Sequence, residues 1–440
     1  MKLFFISLGC DKNLVDSEKM LRELKDSGIE ITEDEYQADI CIVNTCCFIG
    51  DAKQESIETL LTMAGLKKTA RLKVLIAAGC LAQRYKDEIL KEIPEVDGVL
   101  GTFNCERIVT LLNSCIKADD GLKVITDEVY RESQYRRRLK SDLEHYSYLK
   151  IAEGCDKRCT YCIIPYVRGR YRSFPIEDLV KEAEELAGNG VNELILIAQE
   201  TTIYGTDLYG HKAIAELIHE LAAIDGISWI RLMYCYPEEV SDELIECFKQ
   251  EKKLVRYIDL PIQHISDPVL KRMGRRTTGK DIRNIIFKLK KELPDLIIRT
   301  SLISGFPGET EEEFEELLSF VKEGCLDRVG VFTFSREEGT PAYAMKPQIR
   351  KNIREQRRKK LMLAQQEIVF DKNSSMNGRE LTVCIDGYLP DEGVYIGRSY
   401  MDAPGIDGCI FLKCDRELIT GTFVTATISG ARGYDLLGSC

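Results

Sequence analysis

Three cysteines lie close together in the segment GCDKRCTYC, at Cys155, Cys159 and Cys162. A structural zinc ion normally takes four protein ligands, and no fourth cysteine or histidine stands nearby in the sequence. A 4Fe–4S cluster that is bound by only three thiolates has one iron without a protein ligand. The spacing therefore favours an iron–sulfur cluster with one open iron, and a structural zinc loop is the alternative.

An open iron indicates one kind of chemistry. In radical S-adenosylmethionine (SAM) enzymes this iron chelates the amino and carboxylate groups of SAM, and an electron from the cluster cleaves the sulfonium to a 5′-deoxyadenosyl radical. The segment follows a predicted strand, and a tight loop at a strand end can bring three soft ligands to one face of a cluster. Cys155, Cys159 and Cys162 are called the SAM triplet below. Polar residues at other strand ends are candidates for holding SAM or substrate, although ordinary packing explains each equally well: Gln199, Arg231, Gln263 and Ser301.

Three further cysteines, Cys10, Cys46 and Cys80, are far apart in the sequence, but each stands just after a predicted strand. These strands are Leu3–Leu8, Asp39–Asn44 and Lys73–Ala78. The carboxyl ends of parallel strands lie along one edge of a sheet, and Gly9 and Gly79 permit a sharp departure from strand geometry. This predicts a second three-cysteine cluster, called the sheet triplet below, although buried cysteines are often only small apolar residues. Apart from Cys47, the other cysteines show no ligand spacing and are interpreted as core or surface thiols.

Predicted strands and helices alternate through most of the chain, which indicates an α/β fold. The central predicted strands are Tyr148–Ala152, Glu193–Ala198, Trp229–Met233, Tyr257–Ile262, Leu296–Ile303 and Val329–Phe334. Helices are predicted between them, for example over Ile176–Ala187 and Asp281–Glu292, and the capping-box spacing of Thr310 and Glu313 predicts another helix start. Six strand–helix repeats are too few for an eight-stranded barrel, so we predict a partial (βα)6 barrel with its chemistry at the carboxyl ends of the strands.

The chain divides into three predicted domains. Residues 1–120 form an open parallel sheet domain, residues 141–371 form the barrel with a connecting helix, and residues 373–440 form a small antiparallel β-barrel. The β runs of the last domain are Leu381–Ile385, Gly393–Arg398, Gly408–Lys413 and Phe423–Ile428. One long helix with a basic first half is predicted over 349–371, and we interpret it as a solvated face that bridges two domains rather than a binding surface. The run YRRRLK at Tyr135–Lys140 is interpreted as a solvated linker.

The composition limits location and partners. The chain has 440 residues, a formal charge of −11, and 17 cysteines against 4 histidines. Disulfide-stapled secreted proteins are usually short, so this long chain fits reduced thiols in the cytoplasm better. The opening MKLFFISLGC resembles a signal peptide, but its apolar run is too short for one. No stretch approaches the roughly 20 apolar residues of a membrane span, and the negative charge argues against a general polyanion binder.

Several segments match those of a known family: LGCDKNLVDSE, NTC, GCLAQRY, EGCDKRCTYCIIPYVRGRYRS, LPIQHISDPVLKRMGR and GFPGETEEEF. Through them the chain resembles the methylthiotransferases, which are radical SAM enzymes, over nearly its full length. The resemblance implies an N-terminal methylthiotransferase domain, a radical SAM partial barrel and a C-terminal TRAM barrel. It also implies that the sheet triplet holds an auxiliary 4Fe–4S cluster beside the SAM-binding 4Fe–4S cluster.

Two branches of this family differ in substrate: one modifies tRNA adenosine, and the other adds a methylthio group to the β-carbon of an aspartate in small ribosomal subunit protein 12. The phrases SLGCDKNLVDSE and LPIQHISD resemble the second branch. Residues 373–440 also carry five basic and nine acidic residues, and a negative domain would repel tRNA but attract a basic ribosomal protein. We therefore predict the ribosomal-protein enzyme, supplied by an electron donor. The alternatives are tRNA methylthiolation and, from another class, a non-catalytic iron–sulfur or zinc protein that binds RNA.

Overall fold

The computed structural model describes residues 1–117, 123–127, 137–140 and 145–440. They form two compact units. The first unit comprises Met1–Leu143, Ala152–Asp178 and Ser335–Tyr343, and the second comprises Glu144–Ile151, Leu179–Phe334 and Ala344–Cys440. Both cysteine triplets therefore belong to the first unit. The domain boundaries at 1–120, 141–371 and 373–440 remain predictions, and residues 120 and 141 lie outside the described residues.

Strands and helices alternate until the C-terminal part of the chain, where strands follow one another directly. The strands are β1 Lys2–Ser7, β2 Glu30–Ile31, β3 Ile40–Thr45, β4 Val74–Ala78, β5 Gly98–Leu100, β6 Val124–Ile125, β7 Tyr146–Lys150, β8 Ala152–Glu153, β9 Arg172–Ser173, β10 Glu193–Ile197, β11 Trp229–Leu232, β12 Leu254–Asp259, β13 Ile297–Ser304, β14 Arg328–Thr333, β15 Glu380–Leu389, β16 Val394–Arg398, β17 Ile410–Lys413, β18 Phe423–Arg432 and β19 Asp435–Ser439. The α-helices are α1 Asp11–Asp26, α2 Gly50–Thr69, α3 Gly79–Glu92, α4 Ile108–Ile116, α5 Ile164–Arg168, α6 Ile176–Gly188, α7 Ile214–Ala222, α8 Asp242–Gln250, α9 Asp267–Arg272, α10 Gly279–Glu292, α11 Glu311–Lys322, α12 Pro341–Ala344 and α13 Lys351–Ser374. Among the described residues, no helix is long and apolar enough to cross a membrane.

The first unit contains an open parallel sheet of six strands in the order β2-β1-β3-β4-β5-β6. Strands β3 and β4 are buried along their whole length, as expected for inner strands of a parallel sheet with helices on both faces. The three strands predicted from the sequence are β1, β3 and β4, and they are direct neighbours. Strands β2, β5 and β6 were not predicted because two or three residues are too short to show a periodic pattern.

The basic run at Tyr135–Lys140 is not a solvated linker at its described end. Tyr135 and Arg136 lie outside the described residues. The Arg138 side chain, however, is buried and forms an ion pair with Glu18 of α1 at 3.2 Å. The next backbone N–H, that of Leu139, donates to the Glu18 carbonyl at 3.0 Å. A buried carboxylate needs a cation, and this demand outweighs the usual exposure of charge runs.

The second unit contains another parallel sheet of six strands, in the order β14-β13-β12-β11-β10-β7. All six strands that were predicted for the partial barrel are present, with ends shifted by a few residues. The predicted helix start at Thr310 is confirmed, because its side chain and that of Glu313 form a capping box before α11. The α/β fold class with a central partial barrel is thereby confirmed.

The last strands close into a small barrel in the order β15-β16-β17-β19-β18. The sequence predicted β15, β16, β17 and β18 but not β19. Most neighbours are antiparallel as expected, but β17 and β19 run parallel. This pair closes the barrel, so it leaves no free edge.

A disulfide joins Cys414 to Cys440, which corrects the interpretation of these two residues as simple thiols. The reason is the unexpected parallel pair: its register sets Lys413 opposite Ser439. The next residue on each strand is a cysteine, and their Cα atoms lie 5.1 Å apart. That separation is within the range for a disulfide.

A buried ionic cluster connects the small barrel to the sheet of the second unit. Glu193, the first residue of β10, pairs with Arg231 at 2.8 Å and with Arg398 at 2.9 Å. The Glu193 side chain has no exposed surface. Burial alone would raise the pKa of Glu193, but the charges of Arg398 and Arg231 hold it below its usual value. Arg231 also donates to the Tyr400 carbonyl at 2.8 Å, so its guanidinium serves this junction, and its candidacy as a SAM or substrate ligand is not supported.

Helix α13 bridges the sheet and the small barrel, as its sequence predicted. At its first half, Arg357 pairs with Glu309 and Glu311, and Arg358 donates to the Val331 carbonyl. At its end, the Phe370 ring packs edge-on against Tyr434 of the small barrel. Arg357 is buried and holds the helix on the sheet. The predicted solvated face is otherwise present, because five basic residues of this half are exposed: Arg350, Lys351, Arg358, Lys359 and Lys360.

The fold predicts a large cost for losing the Glu193 charge. Glu193→Gln leaves Arg231 and Arg398 buried without their carboxylate, so we expect the free energy of unfolding to fall by about 3 kcal/mol at neutral pH. The single tryptophan, Trp229, packs against Phe423 of the small barrel at 4.8 Å between ring centroids, so its fluorescence in a urea titration reports this junction.

The matched control is Glu292→Gln, which removes an exposed pair with Lys249 and should change stability far less. Since the folded pKa of Glu193 is lowered, its contribution is present above the unfolded pKa and is lost as the pH falls through the folded pKa. The difference between the wild-type protein and Glu193→Gln should therefore shrink on acidification. Equal losses in both variants, or no pH dependence, would contradict this assignment.

Candidate functional site

The sheet triplet lies at the carboxyl edge of three adjacent strands. Cys10 immediately precedes α1 and lies three residues after the end of β1, and Cys46 directly follows β3. Cys80 is the second residue of α3, which starts immediately after β4. Because β1, β3 and β4 are neighbours in the sheet, the topology brings the three cysteines to one edge, as the sequence predicted.

Two glycines allow the backbone to pass close to these thiols. Gly9 has φ of +91°, and a Cβ atom there would lie 3.0 Å from the Cys46 Sγ atom. Gly79 has φ of +86°, and a Cβ atom there would lie 2.7 Å from the Thr45 carbonyl oxygen. Both positions therefore need glycine for backbone conformation and for space.

The sulfurs of the sheet triplet are close enough to influence one another. Burial raises the pKa of Cys46 and of Cys80, and the Cys10 thiol raises both further. Cys47, whose pKa burial raises to about 11, also raises that of Cys80. Cys46 and Cys80 are buried, whereas Cys10 is exposed. The triplet therefore has an enclosed side and an open side.

The SAM triplet lies in a loop that closes on itself between β8 and β9, which pair antiparallel. The Cys155 N–H donates to the Gly169 carbonyl at 3.1 Å, and the Cys162 N–H donates to the Cys159 carbonyl at 3.1 Å. Gly154 has φ of +79°, and a Cβ atom there would collide with the Arg170 carbonyl. The loop is thus held tightly by its own backbone, as a three-thiolate ligand loop requires.

Burial differs within the SAM triplet too. Cys155 and Cys159 are buried, and Cys162 is half-buried. Burial raises the pKa of Cys162, and the neighbouring Cys159 and Cys155 thiols raise it further. This mutual influence indicates that the three sulfurs lie near one another.

A buried arginine that the sequence reasoning missed contacts the sheet triplet. The Arg168 Nη2 atom lies 3.5 Å from the Cys80 Sγ atom and also donates to the Asn13 side-chain oxygen. Its Nη1 atom donates to Asp16 at 2.7 Å and to Glu153 at 3.0 Å. The matched segments LGCDKNLVDSE and EGCDKRCTYCIIPYVRGRYRS contain all four of these polar residues, but no spacing rule marked them.

The residues at both triplets fit iron–sulfur clusters. Each triplet offers three soft sulfur donors, mostly buried, on loops that glycine holds close together. In the described part of the chain, no three His, Cys, Asp or Glu side chains are arranged to share a single metal ion. A four-iron cluster is larger than one ion and holds its thiolates further apart, so this spacing is compatible with it.

Two strained residues lie at the carboxyl end of the sheet in the second unit. Tyr234, after β11, has φ of +60°, and Gln263, after β12, has φ of +69°. Non-glycine residues in this conformation are uncommon and concentrate at functional sites. The Gln263 N–H donates to the Ser301 carbonyl at 2.9 Å, which explains why these two candidates lie together. Gln199 follows β10 at the same edge. Tyr234 was missed, because backbone strain leaves no mark in the residue pattern.

Family models match three regions of the chain. Residues 2–101 match the uncharacterized protein family UPF0004, residues 149–321 match the radical SAM superfamily, and residues 378–440 match the TRAM domain. A solved radical SAM methyltransferase, TsrM from Kitasatospora setae with cobalamin and a [4Fe-4S] cluster bound, superposes with a TM-score of 0.58 at 14% identity. The match covers 78% of this chain and 76% of that one, and it supports the fold alone.

Curated relatives match the whole chain. The ribosomal protein uS12 methylthiotransferase RimO of Lachnoclostridium phytofermentans is 56% identical over 100% of both chains. The protein of the same name from Thermoanaerobacter sp. is 51% identical over 98% of both chains, and that from Geobacter sulfurreducens is 47% identical over 99% of this chain and 98% of its own. The chain belongs to the RimO family of ribosomal protein uS12 methylthiotransferases.

Proposed function

We propose that this chain is a radical SAM methylthiotransferase that adds a methylthio group to the β-carbon of an aspartate in ribosomal protein uS12. The observation that carries the proposal is full-length identity of 46–56% to relatives named for this activity. The loops that bear both cysteine triplets support it, because they belong to one compact unit. Since the substrate is a ribosomal protein, we place the enzyme in the cytoplasm, together with the electron donor that it needs.

We assign a 4Fe–4S cluster to each triplet: an auxiliary cluster to Cys10, Cys46 and Cys80, and the SAM-binding cluster to Cys155, Cys159 and Cys162. The SAM-binding cluster, when bound, supplies the electron that cleaves SAM to a deoxyadenosyl radical, which can abstract hydrogen from an unactivated carbon. The protein provides the surroundings. Its buried cysteines exclude water from one side of each site, and the tight glycine-containing loops hold the sulfurs in place.

The carboxyl end of the second sheet is proposed to hold SAM or the substrate. Tyr234 and Gln263 keep strained backbone conformations there, and Gln199 and Ser301 add polar groups at the same edge. Strain that the surrounding strands maintain is a form of preorganisation, because the side chains need not search for their orientation when a ligand arrives.

The charge of the C-terminal barrel supports a protein substrate less strongly than the composition of residues 373–440 implied. Within residues 373–440, five acidic and four basic residues are exposed. Other acidic residues of this range are paired with arginines elsewhere in the second unit, for example Asp402 with Arg328 at 2.8 Å and Asp407 with Arg299 at 3.8 Å. The preference for a protein over tRNA therefore depends mainly on the relatives.

A direct substrate comparison tests the proposal. The reconstituted, anaerobically reduced enzyme with SAM and a sulfur source should add one methylthio group to a peptide that carries the target loop of uS12, as seen by mass spectrometry. The same enzyme should leave the adenosines of unmodified tRNA unchanged. Methylthiolation of tRNA alone would overturn the substrate assignment, and absence of both 5′-deoxyadenosine and methionine would indicate a non-catalytic protein.

Iron content tests the two-cluster assignment without any substrate. Replacing all three cysteines of either triplet by alanine should remove roughly half of the iron and acid-labile sulfide, because each variant loses one of the two four-iron clusters. The matched control is Cys47→Ala, which removes a buried thiol beside the sheet triplet and should retain the full iron content. Full iron in either triple variant would contradict the assignment.

A further inference from the structure

We infer that Arg168 is a positioning residue that donates to the sheet-triplet cluster through Cys80 and fixes the two cysteine loops relative to each other. The inference rests on the two-cluster assignment of the proposed function.

The Arg168 guanidinium is buried beside a sulfur of the sheet triplet. Arg168 ends α5, six residues after the last cysteine of the SAM triplet. Its side chain is only 2% exposed and reaches a sulfur of the other triplet, with 3.5 Å between Nη2 and the Cys80 Sγ atom. One side chain therefore connects the loop that carries the SAM triplet to a ligand of the sheet triplet.

The guanidinium also donates to three polar side chains. Asn13 and Asp16 lie on α1, the helix that begins directly after Cys10, and both accept hydrogen bonds from Arg168. Glu153, two residues before Cys155, accepts a further one at 3.0 Å. The planar fork of arginine thus joins α1, the end of β8 before Cys155 and the Cys80 sulfur, a geometry that a lysine cannot reproduce with one ammonium group.

Asp16 and Glu153 bring two negative charges to one guanidinium, so these three groups alone are net negative. Three thiolates at the neighbouring triplet would add more negative charge, and a buried negative site needs donors aimed at its sulfurs. Arg168 supplies such a cationic donor, because its Nη2 atom donates to the Cys80 Sγ atom.

A hydrogen bond from Arg168 to Cys80 would change the reduction potential of the auxiliary cluster. A reduced cluster carries one more negative charge than an oxidised one, and hydrogen bonds to the ligand sulfurs favour the reduced state. Arg168 therefore raises the reduction potential of the auxiliary cluster. A purely structural salt bridge would affect stability but would leave this potential unchanged.

The experiment isolates the auxiliary cluster. In a chain with Cys155, Cys159 and Cys162 replaced by alanine, the remaining cluster is titrated with reductant and followed by electron paramagnetic resonance. Arg168→Met should shift the midpoint potential to more negative values, and Arg168→Lys should lie between this variant and the parent because it keeps the charge but loses the fork.

A second comparison is used if Arg168→Met does not fold, since that variant leaves two buried carboxylates without their guanidinium. The chain with Asp16→Asn and Glu153→Gln is compared with the same chain that also carries Arg168→Met, so the carboxylate charge is absent from both. The matched control is Arg84→Met, which removes a mostly buried arginine beside the non-ligand Cys47.

A negative shift in the Arg168 variants that exceeds the shift in Arg84→Met supports the inference. An unchanged potential in an Arg168 variant that retains its iron overturns it and leaves the proposed function standing. Equal shifts in the Arg168 and Arg84 variants also overturn it, because the effect would then be a general one of nearby charge. A parent chain that binds no cluster at the sheet triplet would overturn both the inference and the two-cluster assignment.

Discussion

The need to neutralise buried charge determines how each unit holds its chain segments together. In the first unit Arg168 joins two carboxylates and a cysteine sulfur, and in the second Glu193 joins two arginines. Such pairs are costly to desolvate, so they contribute less to stability than apolar packing of the same volume would. They do, however, fix the positions of the chain segments that supply the partners. Removing one partner would leave a buried charge unpaired, which is strongly destabilising.

The backbone arrangement of the site could be predicted because it follows from short-range patterns. Apolar runs of five or six residues marked β1, β3 and β4, and parallel strands that alternate with helices end at the same edge of a sheet. Cys10, Cys46 and Cys80 stand just past those ends, so their convergence could be inferred from strand position alone. The close spacing of the SAM triplet gave an even more local signal.

The side-chain environment could not be predicted in the same way. Arginine is rarely buried, and nothing within the IIPYVRGRY segment shows that Arg168 meets α1 and Cys80, which are distant in sequence. The disulfide of Cys414 and Cys440 likewise depends on the parallel register of β17 and β19, which the strand pattern does not encode. The acidic excess of the C-terminal barrel was misleading because composition does not show which charges are paired internally.

The uneven burial of the cysteines bears on what clusters at these sites could do. A cluster that only carries electrons can be enclosed completely, whereas one that exchanges ligands with SAM or a sulfur donor needs an open side. Each triplet combines two buried cysteines with one that is exposed or half-buried, Cys10 in one case and Cys162 in the other. The buried members and their glycine-tight loops would shield reactive species from water, and the more open member marks the side from which small molecules can enter. For the two clusters proposed above, this asymmetry suits sites that react with small molecules better than sites that only carry electrons.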